Sequence, residues 1–428
     1  MPARIRYVFA LCALAILPVL VQAQDFYWNT ASVRSNGMGG IYVASSTDVI
    51  DALAANPAGL AVLRGRNLDL AADAVFARGS FSNSVNDGAP LATAPGVVPY
   101  GGFDMPIGHS RFSFGVGAMP ELLSTADWHY VDAPGTADAT YGEQQQKSEI
   151  NAVRFAAGLS YSVNSRLSLG ATVGAVYNTN TLEAPYIFQT QPQLAGLKTM
   201  LDLHTNGFGW NASVGALFQP SKKLQLGVAW KSRTVINSTG NASGDAYAQF
   251  AALGVNAPSN FTYSAAVQNV LPQSILASAA WQATPGWLFA FQADWINWKN
   301  SFVVLPVSLT NGTNAVINSI VDSTSLNDGV PLHWKDQYAF HAGVERRLLE
   351  STVLRFGFAH ANSPVPSSTL TPLTAAILSN EVSTGFSYGF RPEANQSVGQ
   401  SSLLAGEYDN SSVHVGTQSL SVGYSFHF

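Results

Sequence analysis

The chain has 428 residues, a formal charge of −5 and only 11% charged residues, where a soluble globular protein averages about 25%. With no basic excess, nothing points to a nucleic-acid partner. Cys12 is the single cysteine, which excludes a disulfide scaffold and thiol chemistry in a chain that loses its leader.

Residues 1–23 read as that leader. Arg4 and Arg6 form a basic start, 7–21 an apolar stretch, and Val21-Gln22-Ala23 a small-residue cleavage site. A transmembrane anchor is the competing reading, and the well-placed cleavage site speaks against it. Beyond residue 23 no run of 18 apolar residues occurs, so a membrane-embedded chain would cross with strands rather than helices.

Residues 36–65 do not alternate. Gly37, Gly39 and Gly40 allow tight turns. Thr47 or Asp48 can cap a short helix that carries Val49, Ile50 and Leu53 on one side. Asn56 can cap a second helix opened by Pro57 and stopped by Gly65. The stretch is compact, kinked and made of small residues, with no catalytic or nucleotide motif.

From Asn67 on, period-two alternation takes over. Phe155, Ala157, Leu159, Tyr161 and Val163 share one face, opposite Ala156, Gly158, Ser160 and Ser162. The same pattern recurs over 167–177, 287–295 and 420–428, with Phe428 on the apolar face. Runs of about 9–11 residues suit tilted membrane strands. Fourteen strands are expected, starting near 67, 98, 111, 151, 166, 206, 223, 272, 287, 337, 352, 380, 396 and 416. Tight connections at 108–110, 164–165, 220–222, 283–286, 349–351 and 391–393 alternate with long ones at 80–97, 121–149, 179–205, 237–270, 301–335 and 362–379, and with a moderate one near 409–415. Short turns on one side and long loops on the other are the asymmetry of an outer-membrane barrel. A sandwich or propeller would not sort its loops by side, and no fixed-length repeat is visible. Two loop stretches, 192–203 with Leu194, Leu197, Met200 and Leu201, and 246–253 with Tyr247, Phe250 and Ala251, carry helical spacing. Their apolar faces need a cover or a greasy ligand.

The chain resembles the outer-membrane transporters of long-chain fatty acids and other hydrophobic compounds (FadL-type, OMPP1/FadL/TodX). The likeness rests on Gly37-x-Gly39-Gly40, Asn56-Pro57-Ala58, Leu271-Pro272-Gln273-Ser274, Asp294-Trp295 with Trp298, Gly343-Val344-Glu345, Leu354-Arg355-Phe356-Gly357 and Ser363-Pro364-Val365-Pro366. It implies an all-β, fourteen-stranded antiparallel barrel over 66–428, plugged by a hatch over 24–65. Ligands would enter between the long loops, at Leu194, Leu197 and Phe250, and leave sideways at a kinked third strand near Asn56, Pro57 and Ala58. Gly115, Gly117 and Pro120 give that strand, 111–120, the freedom to kink.

With apolar faces turned to lipid, Arg154, Lys231, Asp294, Glu345 and Arg355 point inward. Glu345 and Arg355 face each other across a hairpin and suit a structural ion pair. Arg154 and Lys231 suit a ligand carboxylate or carboxylates of the hatch and wall. His129, His204, His333 and His360 are scattered without a nucleophile, and Asp202-x-His204 reads as a solvated loop pair, so neither an enzyme nor a metal site is expected. The expected role is passive uptake of hydrophobic molecules through the bacterial outer membrane by a monomer in contact with membrane lipid, without a cofactor. A general porin for small polar solutes is the alternative, and an adhesive barrel would leave the apolar loops unexplained.

Overall fold

The structure, a computed structural model, describes residues 32–44, 48–63, 65–92, 94–349, 352–377, 379–384, 388–397 and 412–427. The expected leader, residues 24–31, Thr47, part of the 349–351 turn and Phe428 lie outside the described residues.

Among the described residues, nineteen strand segments form one antiparallel sheet. They are β1 (Asn67–Ser82), β2 (Ala89–Pro90), β3 (Gly96–Pro106), β4 (Phe112–Val131), β5 (Glu143–Ser162), β6 (Leu167–Ile187) and β7 (Lys198–Ser221). Next come β8 (Leu224–Lys231), β9 (Thr234–Asp245), β10 (Asn260–Leu271), β11 (Ser274–Thr284), β12 (Trp287–Ile296) and β13 (Val304–Thr310). The last are β14 (Leu326–Pro331), β15 (Gln337–Leu349), β16 (Thr352–Ala361), β17 (Asn380–Thr384), β18 (Tyr388–Ser397) and β19 (Ser412–His427). β1 pairs with β3 on one side and with β19 on the other, from Asn67↔His427 to Ser82↔Ser412, so the sheet closes on itself. Breaks split the wall at β8/β9, β10/β11, β12/β13 and β14/β15. The break between β10 and β11 falls at Pro272, which has no N–H for the ladder.

The alternation sorts the two faces. Phe155 is 52% exposed, Trp210 69% and Phe291 59%, whereas Ala156, Ser160 and Gln292 on the opposite face are buried. An outer surface this apolar needs lipid against it. Near the short turns, Trp287 stacks on Phe289 at 6.0 Å and Arg346 covers Trp287 at 4.7 Å, an amphipathic pairing suited to a membrane interface.

Several expectations are corrected. β4, β5, β6 and β7 run for 20, 20, 21 and 24 residues, about twice what a bilayer requires. Most of the supposed loops 121–149, 179–205 and 237–270 is therefore strand that extends beyond the membrane. The helix expected over 192–203 does not form. A turn over 191–197 leads into β7, because Leu201 and Leu203 alternate inward and pair with β6 and β9, and cross-strand pairing outweighs spacing that also fits a helix. The second loop helix is present, as Tyr247–Ala252. No turn occurs at 391–393: β18 runs through it with a bulge between Arg391 and Ala394, so this strand starts at 388 rather than 396. β19 begins at 412, inside the supposed last loop.

The N-terminal segment forms α1 (Val33–Asn36), α2 (Val49–Ala54) and a 3-10 turn over Pro57–Ala61. Ser32 caps α1, and Asp48 caps α2 by accepting from Asp51 N. Asn56 caps the third, which ends at Ala61, ahead of Gly65. The loop helix Tyr247–Ala252 is α3, and Ala315–Val321 is α4.

Candidate functional site

The N-terminal segment is bound to inward-facing groups from all round the ring. Val49, Ile50, Leu53 and Leu60 pack with Tyr100, Met119 and Ala156 of β3, β4 and β5. Met38 and Ile41 pack with Ala280 and Ala290 of β11 and β12. Tyr42 N and Val43 N donate to Gln292 Oε1, both at 3.1 Å. Gly39 N donates to Ser383 Oγ at 2.9 Å, and the Gly39 carbonyl accepts from His341 Nδ1 at 2.6 Å. His341 Nε2 lies 3.3 Å from Asp294 Oδ2, with both side chains fully buried. Asn56 Nδ2 donates to the Val43 and Ala216 carbonyls at 3.0 and 3.1 Å. Asn56 Oδ1 occupies the place where any side chain at Gly215 would begin, so glycine is required there. Glu345 and Arg355 do face each other, at 2.9 Å, and Arg34 joins them at 3.2 Å.

Directly above α2 lies a polar floor. Arg154, fully buried, donates to the Leu53 carbonyl (2.8 Å), Asn211 Oδ1 (2.7 Å) and Thr172 Oγ1 (2.7 Å). Lys231 reaches across the lumen to Glu121 at 2.9 Å, and Glu121 also accepts from Asn211 Nδ2 at 3.2 Å. Both cations are thus tied to the segment and the wall.

Glu121 sits on a bulge. The β4–β5 register shifts between Pro120 and Leu122, as an extra residue on one strand requires. The ion pair holds that bulge on the lumen side. β3 and β4 pair only from Pro106↔Ser113 to Gly101↔Ala118. Above that point β3 continues along β1 alone, and β4 along β5 alone. An isolated bridge, Leu91↔Trp128, closes the gap at its outer end. The wall therefore has a window, bordered by 96–100 of β3 and 119–127 of β4. It lies one step above Gly115 and Gly117, whose positions are inside the paired region. A Cβ on Gly115 would stand 2.8 Å from Leu60, and one on Gly117 2.9 Å from Leu53, so bulk there would unseat the segment instead of filling the window.

Between the strand extensions on the long-loop side lies a cavity of about 170 Å³. Its lining is mostly apolar, including Leu201, Leu203, Phe261, Val267, Leu309 and Ile317. The charged lining residues are Glu149 and Asp328, both acidic. Lys147 neutralises Glu149 at 3.2 Å. Asp328 holds the 188–191 loop: it accepts from Tyr186 Oη (2.6 Å), Gln189 N (2.9 Å), Thr190 N (2.5 Å), Thr190 Oγ1 (2.8 Å) and Gln191 N (3.1 Å). Burial alone would raise its carboxyl, but these donors outweigh burial and hold it below the usual carboxylate value. Ile150, Phe302, Leu332 and Trp334 line the cavity and also belong to a central apolar cluster with Ala152, Leu122 and Trp128. A contiguous packed apolar cluster thus runs from the cavity lining to Leu122 and Trp128 beside the window.

Of the expected ligand residues, Leu194 and Phe250 are buried in the cluster behind the cavity, with Leu197 packed against it, and none of the three lines the cavity. Arg154 and Lys231 do not line it either. Asp202 and His204 lie on a strand, not a loop. They sit 2.8 Å apart with Glu183 nearby, all on the outer face. Asp328, Tyr263, Phe302 and Trp334 went unnoticed, since no local motif marks a residue that acts through strands far away in sequence. Glu121 did leave a signal: a charge directly after Pro120 within a strand marks a bulge.

A sequence profile of the outer membrane protein transport protein family (OMPP1/FadL/TodX) matches residues 14–426. The long-chain fatty acid transport proteins of Shigella flexneri and of Escherichia coli strain K12 are each 23% identical over 424 residues, 91% of this chain and 90% of theirs. The Pseudomonas putida toluene transporter TodX shares the fold with a TM-score of 0.71 at 18% identity, over 95% of this chain and 100% of its own. A Pseudomonas aeruginosa FadL homologue does so with a TM-score of 0.71 at 15% identity, over the same shares. The chain belongs to the OMPP1/FadL/TodX family of outer membrane transport proteins.

Proposed function

We propose that the protein is a passive outer-membrane channel for small, uncharged hydrophobic molecules, one-ring aromatic hydrocarbons foremost. The cavity carries this reading. A dry apolar cavity of about 150 Å³ accommodates benzene, and this one measures about 170 Å³. Its charged lining residues, Glu149 and Asp328, are acidic and already bonded to Lys147 and to the 188–191 loop, so among the described residues the lining offers no cation to a carboxylate head. Relatives named for fatty acids and others named for toluene both exist in the family. Cavity size and charge favour the second kind. A polar-solute porin would leave the apolar lining without a purpose.

In this reading the wall is fourteen strands, with each broken pair counted once and β2 taken as part of the rim. Residues 24–65 are its hatch, and Asn56, Pro57 and Ala58 are its seat against β6 and β7. Arg154 and Lys231 position the floor and the bulge and do not hold the ligand. The ligand passes the Phe302 and Trp334 side chains, follows the apolar cluster and leaves through the β3–β4 window into lipid. Lateral exit keeps its surface out of water, worth about 25 cal/mol per Å².

The test is Ser124→Trp. Ser124 lies on the unpaired edge of β4 with its side chain inward, since it pairs with the inward Ile150. Toluene uptake by cells bearing the variant should fall at least about tenfold while purified protein still binds toluene. Undiminished uptake would exclude the window as the exit.

A further inference from the structure

The short-turn end of the barrel carries one sign of charge. Among the described residues, Arg66, Arg111, Arg166, Lys222, Lys223 and Arg347 are exposed there, and no carboxylate is. Glu350 lies outside the described residues. The long-loop side carries both signs, with Asp138, Glu143 and Asp322 exposed alongside Lys299 and Lys335. No ion pair within the described residues takes up any of the six turn-side cations. The charge is densest where neighbouring strand ends meet. β8 pairs with β11 down to Leu224↔Trp281, and β12 with β15 down to Trp287↔Arg346. The Lys223 carbonyl accepts from Gln282 N at 2.7 Å. The Gly286 carbonyl accepts from Arg347 N at 3.0 Å and from Arg346 Nη1 at 3.4 Å. Lys222, Lys223, Arg346 and Arg347 thus surround the β11–β12 hairpin. Its outer face holds a ladder of rings, in which Phe289 neighbours both Trp281, at 5.9 Å, and Trp287, at 6.0 Å. Trp281 is 52% exposed and Trp287 39%.

We propose that this patch binds an anionic phospholipid of the periplasmic leaflet, its phosphate against the cations and its acyl chains along the rings. Short barrel turns face the periplasm, and exposed tryptophans sit at the headgroup level of a membrane. The cations around the hairpin therefore stand beside lipid phosphates rather than in open water. Their aliphatic stems can lie along the rings while their charged ends reach the headgroups, as Arg346 does over Trp287 at 4.7 Å. Guanidinium and ammonium groups donate charge-assisted hydrogen bonds to phosphate oxygens. A zwitterionic headgroup brings a cation of its own, which a patch of uniform positive charge repels. A second copy of the chain in the same membrane would bring its own basic rim to this level. The chemistry that fits is a phosphodiester of net negative charge on two apolar tails.

This inference holds whichever ligand the channel passes. The full mature chain in neutral detergent is titrated with phosphatidylglycerol and with phosphatidylcholine of the same acyl chains, and bound lipid is read by native mass spectrometry. Phosphatidylglycerol should bind at least about tenfold tighter, since each cation beside an anionic lipid surface is worth about fivefold. Lys222→Gln/Lys223→Gln/Arg346→Gln/Arg347→Gln should remove that preference and leave phosphatidylcholine affinity unchanged. Lys222→Gln/Lys223→Gln changes only exposed turn side chains and keeps the test decisive if the fourfold variant fails to fold; it should cut the preference at least about threefold. Lys299→Gln/Lys335→Gln, on the long-loop side, should leave it intact. Equal affinities in the unmodified protein, a preference that survives both turn-side variants, or an equal loss in the long-loop variant would overturn the patch. Glycerol 3-phosphate binding as tightly as the lipid would assign the cations to a soluble phosphate compound and overturn the lipid.

Discussion

Removing the cation that faces Glu121 tests why β4 leaves β3. In Lys231→Met the Glu121 carboxylate loses its 2.9 Å ion pair and keeps the 3.2 Å bond from Asn211. Its side chain is only 4% exposed, so water cannot replace the ammonium. A buried pair broken on one side costs about 3–5 kcal/mol. The double variant Glu121→Leu/Lys231→Met removes both members of the pair, and apolar replacement of a buried pair is often neutral or better. It should lie within about 1–2 kcal/mol of the parent. The two sites should then show a coupling of at least about 2 kcal/mol, where independent sites add within about 0.3–0.5 kcal/mol. Urea unfolding from lipid vesicles, followed by tryptophan fluorescence, measures each corner of the cycle. The double variant also lacks the tie that draws the bulge inward. Its β4 can approach β3, so toluene uptake should drop while toluene binding persists. Additive single effects, or a double variant that transports at the parental rate, would refute the tie as the cause of the window.

Gly215→Ala should displace Asn56 from the Val43 and Ala216 carbonyls, at about 1–3 kcal/mol, and make the N-terminal segment cleavable by protease in intact membranes; Gly96→Ala, where a Cβ meets nothing within 4 Å, should not. Asp328→Asn should loosen the 188–191 loop, read as faster hydrogen exchange at Gln189, Thr190 and Gln191, whose N–H groups it now accepts. Because the Asp328 carboxyl is held below its ordinary value of 3.8, its contribution is complete above that value and is lost as pH falls through the lower folded value. Exchange in the parent loop should therefore stay slow down to about pH 4 and quicken below it, while the Asn variant shows no such step.

The wall was legible in the sequence because its cause is local. Every second residue must face lipid, and Phe155, Leu159, Trp287 and Phe291 show that period directly. The caps at Asp48 and Asn56 were legible for the same reason, since a cap acts within three residues. Strand length was not legible. Beyond the membrane the outer face of β7 turns polar, at Asp202, His204 and Asn206, while Leu201, Leu203 and Thr205 stay inward. The period persists without the apolar face that announces it, and the spacing of Leu194, Leu197 and Leu201 then reads equally well as a helix. Glu345 and Arg355 could be paired because one hairpin relates them. The partners of Arg154 and Lys231 could not, since Leu53, Asn211 and Glu121 meet them only after the ring closes around the N-terminal segment. The inward cations were read as ligand hooks or as partners of hatch and wall carboxylates, because a cation in an apolar lumen needs an anion or an equivalent set of acceptors. The need was real, and residues of the chain itself supply it. Among the described residues, that leaves the cavity without a cation on its lining, and it turns the choice of ligand from charge toward shape.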